Sequence, residues 1–268
     1  KKIITAIIFI ISVNFAAFAA QVDTIQVFST SMNKNIKTVV IKPEKTSTTP
    51  LATLYLLHGY SGDYSNWVNK VPYLKTLVDR YNYIVVCPDG GFDSWYWDTP
   101  NDNNYQYETF ISKELITSIE SKYNVCKDRN GRGITGLSMG GHGALYLALK
   151  NQDIYGAAGS TSGGVDIRPF PNNWGIVKKL GEYATNKEKW DQHTVLGLLH
   201  HLKPNALQLF IDCGYDDFFY AVNQKLHHEL LYLNIPHYYL NLPGKHNWDY
   251  WSQSLPYQMA FFDQYFRN

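Results

Sequence analysis

The sequence has no surplus of charge of either sign. Its 268 residues include 24 Lys and Arg and 23 Asp and Glu, which leaves a formal net charge of +1 at pH 7. That balance gives no electrostatic reason to expect nucleic acid or an acidic membrane surface as a partner. Glycine and proline are not enriched, with 19 and 11 residues, which excludes a collagen-like or low-complexity chain. Because hydrophobic residues make up 45% of the chain, it can build a sizeable core.

Cysteine is scarce as well. Cys87, Cys126 and Cys213 cannot all pair within one chain, and no Cys-x-x-Cys motif indicates a zinc or redox site. Cys87 and Cys213 lie in apolar, strand-like runs, and we expect both to be small buried residues. The sequence therefore predicts no metal site and assigns no chemical role to the thiols.

Only one segment is apolar enough to raise the question of a membrane, and it lies at the very start. Lys1 and Lys2 form a basic region, residues 3–13 are mostly apolar, and Ala17 and Ala19 supply the small residues of a cleavage site. This pattern predicts a signal peptide over residues 1–19 and a secreted or periplasmic protein. An uncleaved anchor is the weaker alternative, because the run is shorter than the roughly 20 residues that span a bilayer.

The rest of the chain alternates short apolar runs with helical periodicity. Near-continuous apolar runs are typical of strands that are covered on both faces. Strands that alternate with helices predict right-handed crossovers and an α/β fold with a mostly parallel central sheet of about eight strands. The predicted strands are 22–28, 36–41, 51–57, 83–87, 134–137, 157–160, 207–213 and 237–242, and the predicted helices are 108–123, 140–149, 218–233 and 256–266.

No repeat, charge run or linker divides this part of the chain, so residues 20–268 are predicted to form a single domain. Residues 163–203 differ from the rest, because prolines and tryptophans are mixed there with short helical pieces. We interpret this stretch as a lid-like insertion between strands. Aromatic residues reach 15% of the chain, and we expect some of them to line a groove.

The motif that carries chemistry is G-x-S-x-G around Ser138. It lies directly between a predicted strand and a predicted helix. In a nucleophile elbow, a strained strand-to-helix turn lifts the serine hydroxyl off the sheet, and the glycines allow close backbone approach. The N-terminus of the next helix then favours negative charge that develops beside the serine. A glycine-rich turn that only caps a helix is the alternative, but the flanking strand and helix favour a nucleophile.

A serine hydroxyl is a poor nucleophile until a base takes its proton. In folds with such an elbow, the chain order is Ser, acid, His, each at the carboxyl end of a strand. His246 follows the last predicted strand and is the predicted base. The preceding strand offers Asp212, Asp216 and Asp217 as the acid. Asp212 is still within the strand and is expected to face a covering helix, whereas spacing alone does not separate Asp216 from Asp217.

Two backbone N–H groups are needed to stabilise the oxyanion that forms on the substrate. One donor is predicted to be Met139, the residue after the nucleophile. The second is predicted to be Tyr60, in the loop after the strand 51–57, because Gly59 lets the chain turn toward Ser138. His58 is expected to be structural, hydrogen-bonded under this loop.

These motifs together resemble the esterase D-like branch of the α/β-hydrolases, often called the putative esterase family. The likeness extends from about Val22 to the C-terminus and includes His58-Gly59, the Ser-Trp-Tyr-Trp-Asp stretch at 94–98, the elbow and the His246 loop. It implies an α/β-hydrolase fold and a serine esterase that uses neither metal nor cofactor. Family members place the acid three residues after a glycine, which implies Asp217 rather than Asp216.

The resemblance also suggests a substrate class. Together with the signal peptide, it favours secreted tributyrin, acetyl and feruloyl esterases, acting on esters of plant polysaccharides, over a cytosolic S-formylglutathione hydrolase. An antigen 85-like acyltransferase shares the acyl-enzyme and stays open. The intact Ser, Asp and His weigh against a non-catalytic glycan binder. Trp95, Tyr96 and Trp174 are candidate walls of the pocket, with packing in the core as the alternative for each.

Overall fold

A single eight-stranded sheet organises the residues that the structure describes. The computed structural model describes residues 20–45, 47–100 and 102–268, so the predicted signal peptide lies outside the described residues. All eight predicted strands are present, and their bounds differ from the prediction by two residues at most. The strands are β1 (Gln21–Ser29), β2 (Lys34–Lys42), β3 (Thr53–Leu57), β4 (Ile84–Pro88), β5 (Arg132–Gly136), β6 (Ala157–Thr161), β7 (Gln208–Gly214) and β8 (Tyr238–Leu242).

The strands are ordered β1-β2-β4-β3-β5-β6-β7-β8 across the sheet. The pairs β1–β2 and β2–β4 are antiparallel, whereas all the other neighbouring pairs are parallel. In β3, Tyr55 lies opposite Val86 on one side and Ile134 on the other. All five residues of β3 are buried, which explains its uninterrupted apolar sequence. Because parallel strands end at the same edge, the loops after β3, β5, β7 and β8 meet there.

Helices cover the sheet on both faces. A π-helical segment, Phe110–Leu115, joins two of them, so the helix predicted over 108–123 is a continuous helical stretch with one wider turn. The two short helices that follow β3 were not predicted. The helices are α1 (Asn66–Lys70), α2 (Leu74–Tyr81), α3 (Tyr107–Thr109), α4 (Ile116–Lys122), α5 (Met139–Lys150), α6 (Ile176–Leu180), α7 (Lys187–Gln192), α8 (Val195–Leu198), α9 (Tyr220–Tyr232) and α10 (Trp248–Arg267).

The last helix begins earlier than predicted. It was predicted to start at Pro256, and proline is favoured in the first turn of a helix but disrupts a helix interior. Instead α10 starts at Trp248 and Pro256 lies inside it. Proline has no N–H for the carbonyl of Ser252, four residues before it, and that carbonyl accepts a hydrogen bond from the hydroxyl of Tyr73 instead. This contact from outside the helix supplies the partner that the proline removes.

The core is divided between the two faces of the sheet. Along β3, Tyr55 and Leu57 pack with the side that carries α5 and α9, whereas Leu54 and Leu56 pack with the side that carries α2 and α10. The segment 163–203 forms α6, α7 and α8, and its buried side chains, such as that of Trp190, join the first of these two clusters. The insertion is therefore packed onto the domain, and its action as a lid stays a prediction.

Two of the three cysteines lie where the apolar runs indicated. Cys87 in β4 and Cys213 in β7 are buried, Cys126 is partly exposed, and all three are free thiols. Burial raises the pKa of both strand thiols, which keeps them protonated. Among the residues described, no helix is both long and apolar enough to cross a membrane.

Candidate active site

Ser138 occupies a strained turn between β5 and α5. Its backbone angles are φ 56° and ψ −117°, a conformation that side-chain-bearing residues rarely adopt. The N–H of Ser138 donates to the carbonyl of Thr161 at 2.9 Å. The carbonyl of Ser138 accepts from the N–H groups of His142 at 3.0 Å and Gly164 at 3.2 Å. Hydrogen bonds to both the N–H and the carbonyl of Ser138 therefore hold the strained turn that is typical of a nucleophile elbow.

The loop after β3 packs directly against this turn. A Cβ placed on Gly140 would lie 2.6 Å from the carbonyl oxygens of Leu57 and His58, so this position requires glycine. A Cβ placed on Gly59 would lie 3.3 Å from the Cβ of Ser138. The glycines thus let two backbone segments approach each other, and the approach brings the loop that carries Tyr60 close to Ser138.

His246 lies in the loop between β8 and α10 and reaches Ser138 across the edge of the sheet. Its Nε2 is 2.9 Å from the Oγ of Ser138, and its Nδ1 is 2.8 Å and 3.0 Å from the two carboxylate oxygens of Asp217. A carboxylate accepts hydrogen bonds, so the imidazole carries its proton on Nδ1 and leaves Nε2 to accept from the serine hydroxyl. The arrangement is one in which a base can activate a hydroxyl.

The structure also separates the three candidate acids. The side chain of Asp217 is fully buried, and its Oδ1 accepts from the N–H of Phe219 at 2.7 Å as well as from His246. Asp216 is exposed on the same loop. Asp212 faces α10, as expected, and accepts from the side-chain amide of Gln258 at 2.7 Å. Among the three, the side chain of Asp217 contacts the imidazole.

Both predicted oxyanion donors lie near the nucleophile. Met139 is the first residue of α5, so its N–H is one of those that a helix leaves without an intrahelical partner. Tyr60 lines the same cleft as Ser138. Within the described part of the chain, neither N–H donates to a protein acceptor. Two donors are thus free to bind an oxygen of a substrate.

His58 fixes the loop that carries Tyr60. Its Nε2 accepts from the N–H of Gly90 at 2.7 Å, so its Nδ1 carries the proton and donates to the carbonyl of Gly59 at 2.8 Å. The hydroxyl of Tyr96 donates to the carbonyl of His58 at 3.0 Å. Burial lowers the pKa of His58, which favours the neutral ring. The geometry matches the structural role expected for this residue.

The cleft at Ser138 has a volume of about 440 Å³. Trp174, from the insertion, lines it as predicted. Trp95 and Tyr96 do not line it: they are 1% and 0% exposed and lie in the core, which was the alternative for both. Both have positive φ angles, 53° and 62°, and this turn directs their side chains inward. The ring of Trp95 contacts that of Trp174 at a centroid distance of 5.6 Å, and the hydroxyl of Tyr96 donates to the carbonyl of His58.

Sequence reasoning missed two features of the site. The first is a set of aromatic rings around His246, formed by Phe218, Phe219 and Trp251. The second is His142, a buried residue in the first turn of α5. Its position four residues after Ser138 was the available signal, because the N–H of a helical residue donates to the carbonyl four residues earlier. Among the described residues, no group of three or more His, Cys, Asp or Glu side chains is placed to hold a metal ion.

The family model described as "Putative esterase" matches residues 29–262. The chain belongs to this family. Its eight-stranded, mostly parallel sheet with helices on both faces is the α/β-hydrolase fold that the sequence predicted. The family resemblance inferred from the elbow and loop motifs is thereby confirmed.

Several known proteins are similar to this chain. An acetyl esterase of Caldicellulosiruptor saccharolyticus is 29% identical over 85% of this chain and 93% of its own. An S-formylglutathione hydrolase of Bos taurus is 28% identical over 74% of this chain and 76% of its own. A solved ferulic acid esterase superposes with a TM-score of 0.80 at 26% identity, covering 93% of this chain and 99% of that one. The chain is a carboxylic ester hydrolase.

Proposed function

We propose that the protein is a serine carboxylesterase in which Ser138, His246 and Asp217 form the catalytic triad. The observation that carries this proposal is the continuous hydrogen-bonded path from the Oγ of Ser138 through the imidazole to the buried carboxylate. Residues 108 positions apart supply the nucleophile and the base, so the contact depends on the fold. Such a path is the arrangement that makes a serine hydroxyl nucleophilic at neutral pH.

The reaction proceeds through an acyl-enzyme. Nε2 of His246 takes the proton of Ser138 as Oγ attacks the ester carbonyl, and the imidazolium then gives that proton to the departing alcohol. Water repeats the attack on the acyl-enzyme, with His246 again acting as the base. Asp217 keeps the imidazole in one tautomer and stabilises its charged form. Acid is released, and Ser138 regains its proton.

The oxyanion is stabilised by the N–H groups of Met139 and Tyr60. Each is directed at charge that develops only in the tetrahedral intermediates, and loss of one such donor costs about 3 kcal/mol of transition-state stabilisation. The positive end of the α5 dipole, at Met139, acts in the same direction. The hydrogen bonds of His58 to Gly59 and Gly90 fix the loop that carries the second donor, the N–H of Tyr60, so the loop need not rearrange during the reaction.

We further propose short-chain acyl or feruloyl esters of plant polysaccharides as substrates. Several aromatic residues line the cleft, namely Tyr60, Trp174, Phe218, Trp248 and Trp251. Aromatic walls suit a planar aromatic acyl group. The names of the similar acetyl esterase and ferulic acid esterase support the same two acyl classes.

Hydrolysis of p-nitrophenyl acetate tests the triad. Ser138→Ala is expected to abolish hydrolysis and labelling by a fluorophosphonate, whereas Ser121→Ala, on the exposed surface of α4, leaves both unchanged. A Ser138→Ala variant as active as the wild type would remove Ser138 from the mechanism. Failure of the wild type to react with the fluorophosphonate would favour a non-catalytic glycan binder.

A panel of esters tests the substrate class. We expect acetyl-xylan or methyl ferulate to be hydrolysed with a higher kcat/KM than tributyrin or S-formylglutathione. A preference for S-formylglutathione would contradict the polysaccharide proposal and favour the thioesterase activity named in one relative. Transfer of the acyl group to an added sugar in preference to water would favour an acyltransferase.

Export is a separate proposal that rests on residues 1–19 of the sequence. Cleavage after Ala19 predicts that the mature protein begins at Ala20. N-terminal sequencing of protein recovered from the periplasm or the medium checks this expectation. Retention inside the cell with Lys1 still present would contradict it.

A further inference from the structure

His142 is a buried histidine whose two ring nitrogens both have partners. The indole N–H of Trp97 donates to its Nε2 at 3.0 Å, and its Nδ1 lies 3.0 Å from the carbonyl of Gly164. An indole N–H can only donate, so Nε2 accepts, the proton sits on Nδ1, and Nδ1 donates to Gly164. Two neighbours thus select one tautomer of the ring.

The ring remains neutral over the range in which an esterase works. His142 has no exposed surface, and burial lowers its pKa to about 3. Trp95 meets the ring edge-on and Tyr146 stacks on it, at centroid distances of 5.2 Å and 5.6 Å. A neutral, enclosed ring with a single tautomer can hold its partners in one geometry.

Those partners include the backbone of the nucleophile. Gly164, which receives the ring proton on its carbonyl, donates its own N–H to the carbonyl of Ser138 at 3.2 Å. The backbone N–H of His142 donates to the same carbonyl at 3.0 Å. One residue therefore holds the strained Ser138 peptide twice, directly through its main chain and indirectly through its side chain and Gly164.

We propose that His142 is a positioning residue for the esterase reaction, whose ring holds Gly164 against the nucleophile elbow and so aims Ser138 at His246. The inference rests on the proposed role of Ser138 as nucleophile. His142 does not line the cleft, and its ring is linked to Ser138 through Gly164. Its side chain acts on the rate by keeping the Oγ of Ser138 within hydrogen-bond reach of the base.

Two substitutions separate the hydrogen bond from the packing. His142→Leu fills most of the ring volume and removes both side-chain hydrogen bonds. His142→Asn places an amide N–H near the position of Nδ1 and retains the donor to Gly164. We expect the leucine variant to lower kcat for p-nitrophenyl acetate by roughly 10–100-fold with little change in KM, because small misplacement of a reacting group has effects of that size. The asparagine variant is expected to recover most of kcat.

Two further variants extend the comparison, one expected to lower kcat and one as a control. Trp97→Phe removes one of the two partners that select the tautomer and is expected to lower kcat in the same direction as His142→Leu. Tyr146→Phe removes only a hydroxyl that contacts Glu108 and Lys150, next to the ring, and leaves kcat unchanged. All rates are compared well below the unfolding midpoint of each variant, so that stability does not enter the comparison.

The pH dependence supplies a test of mechanism. Because His142 does not titrate in the working range, its variants should lower kcat without moving the midpoint of the kcat–pH profile. A moved midpoint would mean that His142 acts through charge, which overturns the positioning role.

The remaining outcomes are decisive in either direction. Wild-type kcat in His142→Leu, or an asparagine variant no faster than the leucine variant, overturns the inference and leaves the proposed triad standing. Wild-type activity in Ser138→Ala would overturn both the proposed triad and the positioning role of His142. If the leucine variant does not fold, Trp97→Phe and His142→Asn decide: a reduced kcat in the first and a nearly normal kcat in the second support the inference, and the reverse pattern rejects it.

Discussion

Phe218 covers one face of the His246 imidazole, with ring centroids 4.2 Å apart and planes inclined by 41°. Phe218 itself is 52% exposed, whereas the side chain of His246 is only 15% exposed. Phe219 and Trp251 approach the same imidazole edge-on, at 5.4 Å and 5.0 Å. The base of the proposed triad is thus contacted by aromatic rings as well as by Asp217. Such rings also favour the positive charge that the imidazole carries during the reaction.

Phe218→Leu is expected to lower kcat by roughly 2–10-fold, because an aromatic pair contributes about 0.5–1.5 kcal/mol beyond its buried area. Phe218→Tyr keeps the ring and should remain close to the wild type. Steady-state hydrolysis of p-nitrophenyl acetate measures both. Equal rates for the leucine variant and the wild type would show that the ring over His246 has no part in catalysis.

Asp217→Asn should be the most damaging isosteric change at the site. An amide in place of the carboxylate can donate to Nδ1, which favours the tautomer with the proton on Nε2 and removes the acceptor for the serine proton. A loss in kcat of about 10⁴ is expected from that tautomer change. Asp216→Asn, one residue away and exposed, is the matched control and should stay near the wild-type rate. A larger loss in the Asp216 variant would exchange the two assignments.

Gly140→Ala and Gly59→Ala test the close approach of the two loops. At Gly140 the added Cβ meets two backbone carbonyl oxygens, which cannot move away, whereas at Gly59 its nearest contact is the flexible side chain of Leu137. We expect Gly140→Ala to destabilise the fold by about 3 kcal/mol and to lower Tm by roughly 6–12 °C. Gly59→Ala should lower Tm by less than Gly140→Ala. Thermal unfolding followed by circular dichroism compares them, and an inverted order would contradict the structure.

Asp212 makes stability depend on pH. Burial raises the pKa of its carboxyl to about 6, against about 4 in the unfolded chain. Between these values the folded state holds a proton that the unfolded state has lost, so the free energy of unfolding falls as pH rises and levels off above about 6.

Asp212→Asn cannot lose a proton and should escape this penalty. Relative to the wild type, its free energy of unfolding is expected to rise between pH 4 and 6, by roughly 3 kcal/mol at most. Urea unfolding at a series of pH values measures the difference between the two proteins. A difference that is constant from pH 4 to pH 8 would mean that Asp212 ionises normally in the folded protein.

Trp174→Ala tests whether the insertion shapes the acyl side of the cleft. Removal of the ring should reduce kcat/KM for methyl ferulate by roughly 10–200-fold, and for p-nitrophenyl acetate by much less, since only a large acyl group reaches the wall. Tyr232→Ala, at an exposed position on α9, is the control for a lost surface aromatic. Equal losses on both substrates would place Trp174 outside the acyl site.

Local sequence was sufficient to predict most of the architecture. The apolar run that became β3 and the glycine-rich turn after β5 could be recognised because their signals are local, with burial on both faces in one case and close backbone approach in the other. Chain order then led to His246, since parallel strands bring their carboxyl ends to one edge. The start of α10 escaped prediction because the partner of the freed Ser252 carbonyl, Tyr73, is 179 residues away.

In the site, too, the sequence predicted what depends on neighbouring residues and missed what depends on contacts between residues far apart in the chain. Asp216 and Asp217 are neighbours of the same type, and only the direction of each side chain decides which one meets the imidazole. Trp95 and Tyr96 were predicted to line the cleft, but their positive φ angles turn them inward, a feature that composition does not encode. His142 was overlooked because its partners, Trp97 and Gly164, are distant in sequence.

The amino-acid sequence by itself determined the order of strands and helices, the elbow serine and the histidine after the last strand, because each depends on periodicity or on the conformational range of nearby residues. The tertiary structure decided which aspartate faces His246, which aromatic rings enclose it and which buried histidine contacts the backbone of Ser138. Those choices depend on distances between side chains from separate elements, and such distances exist only once the sheet has assembled and both of its faces are covered.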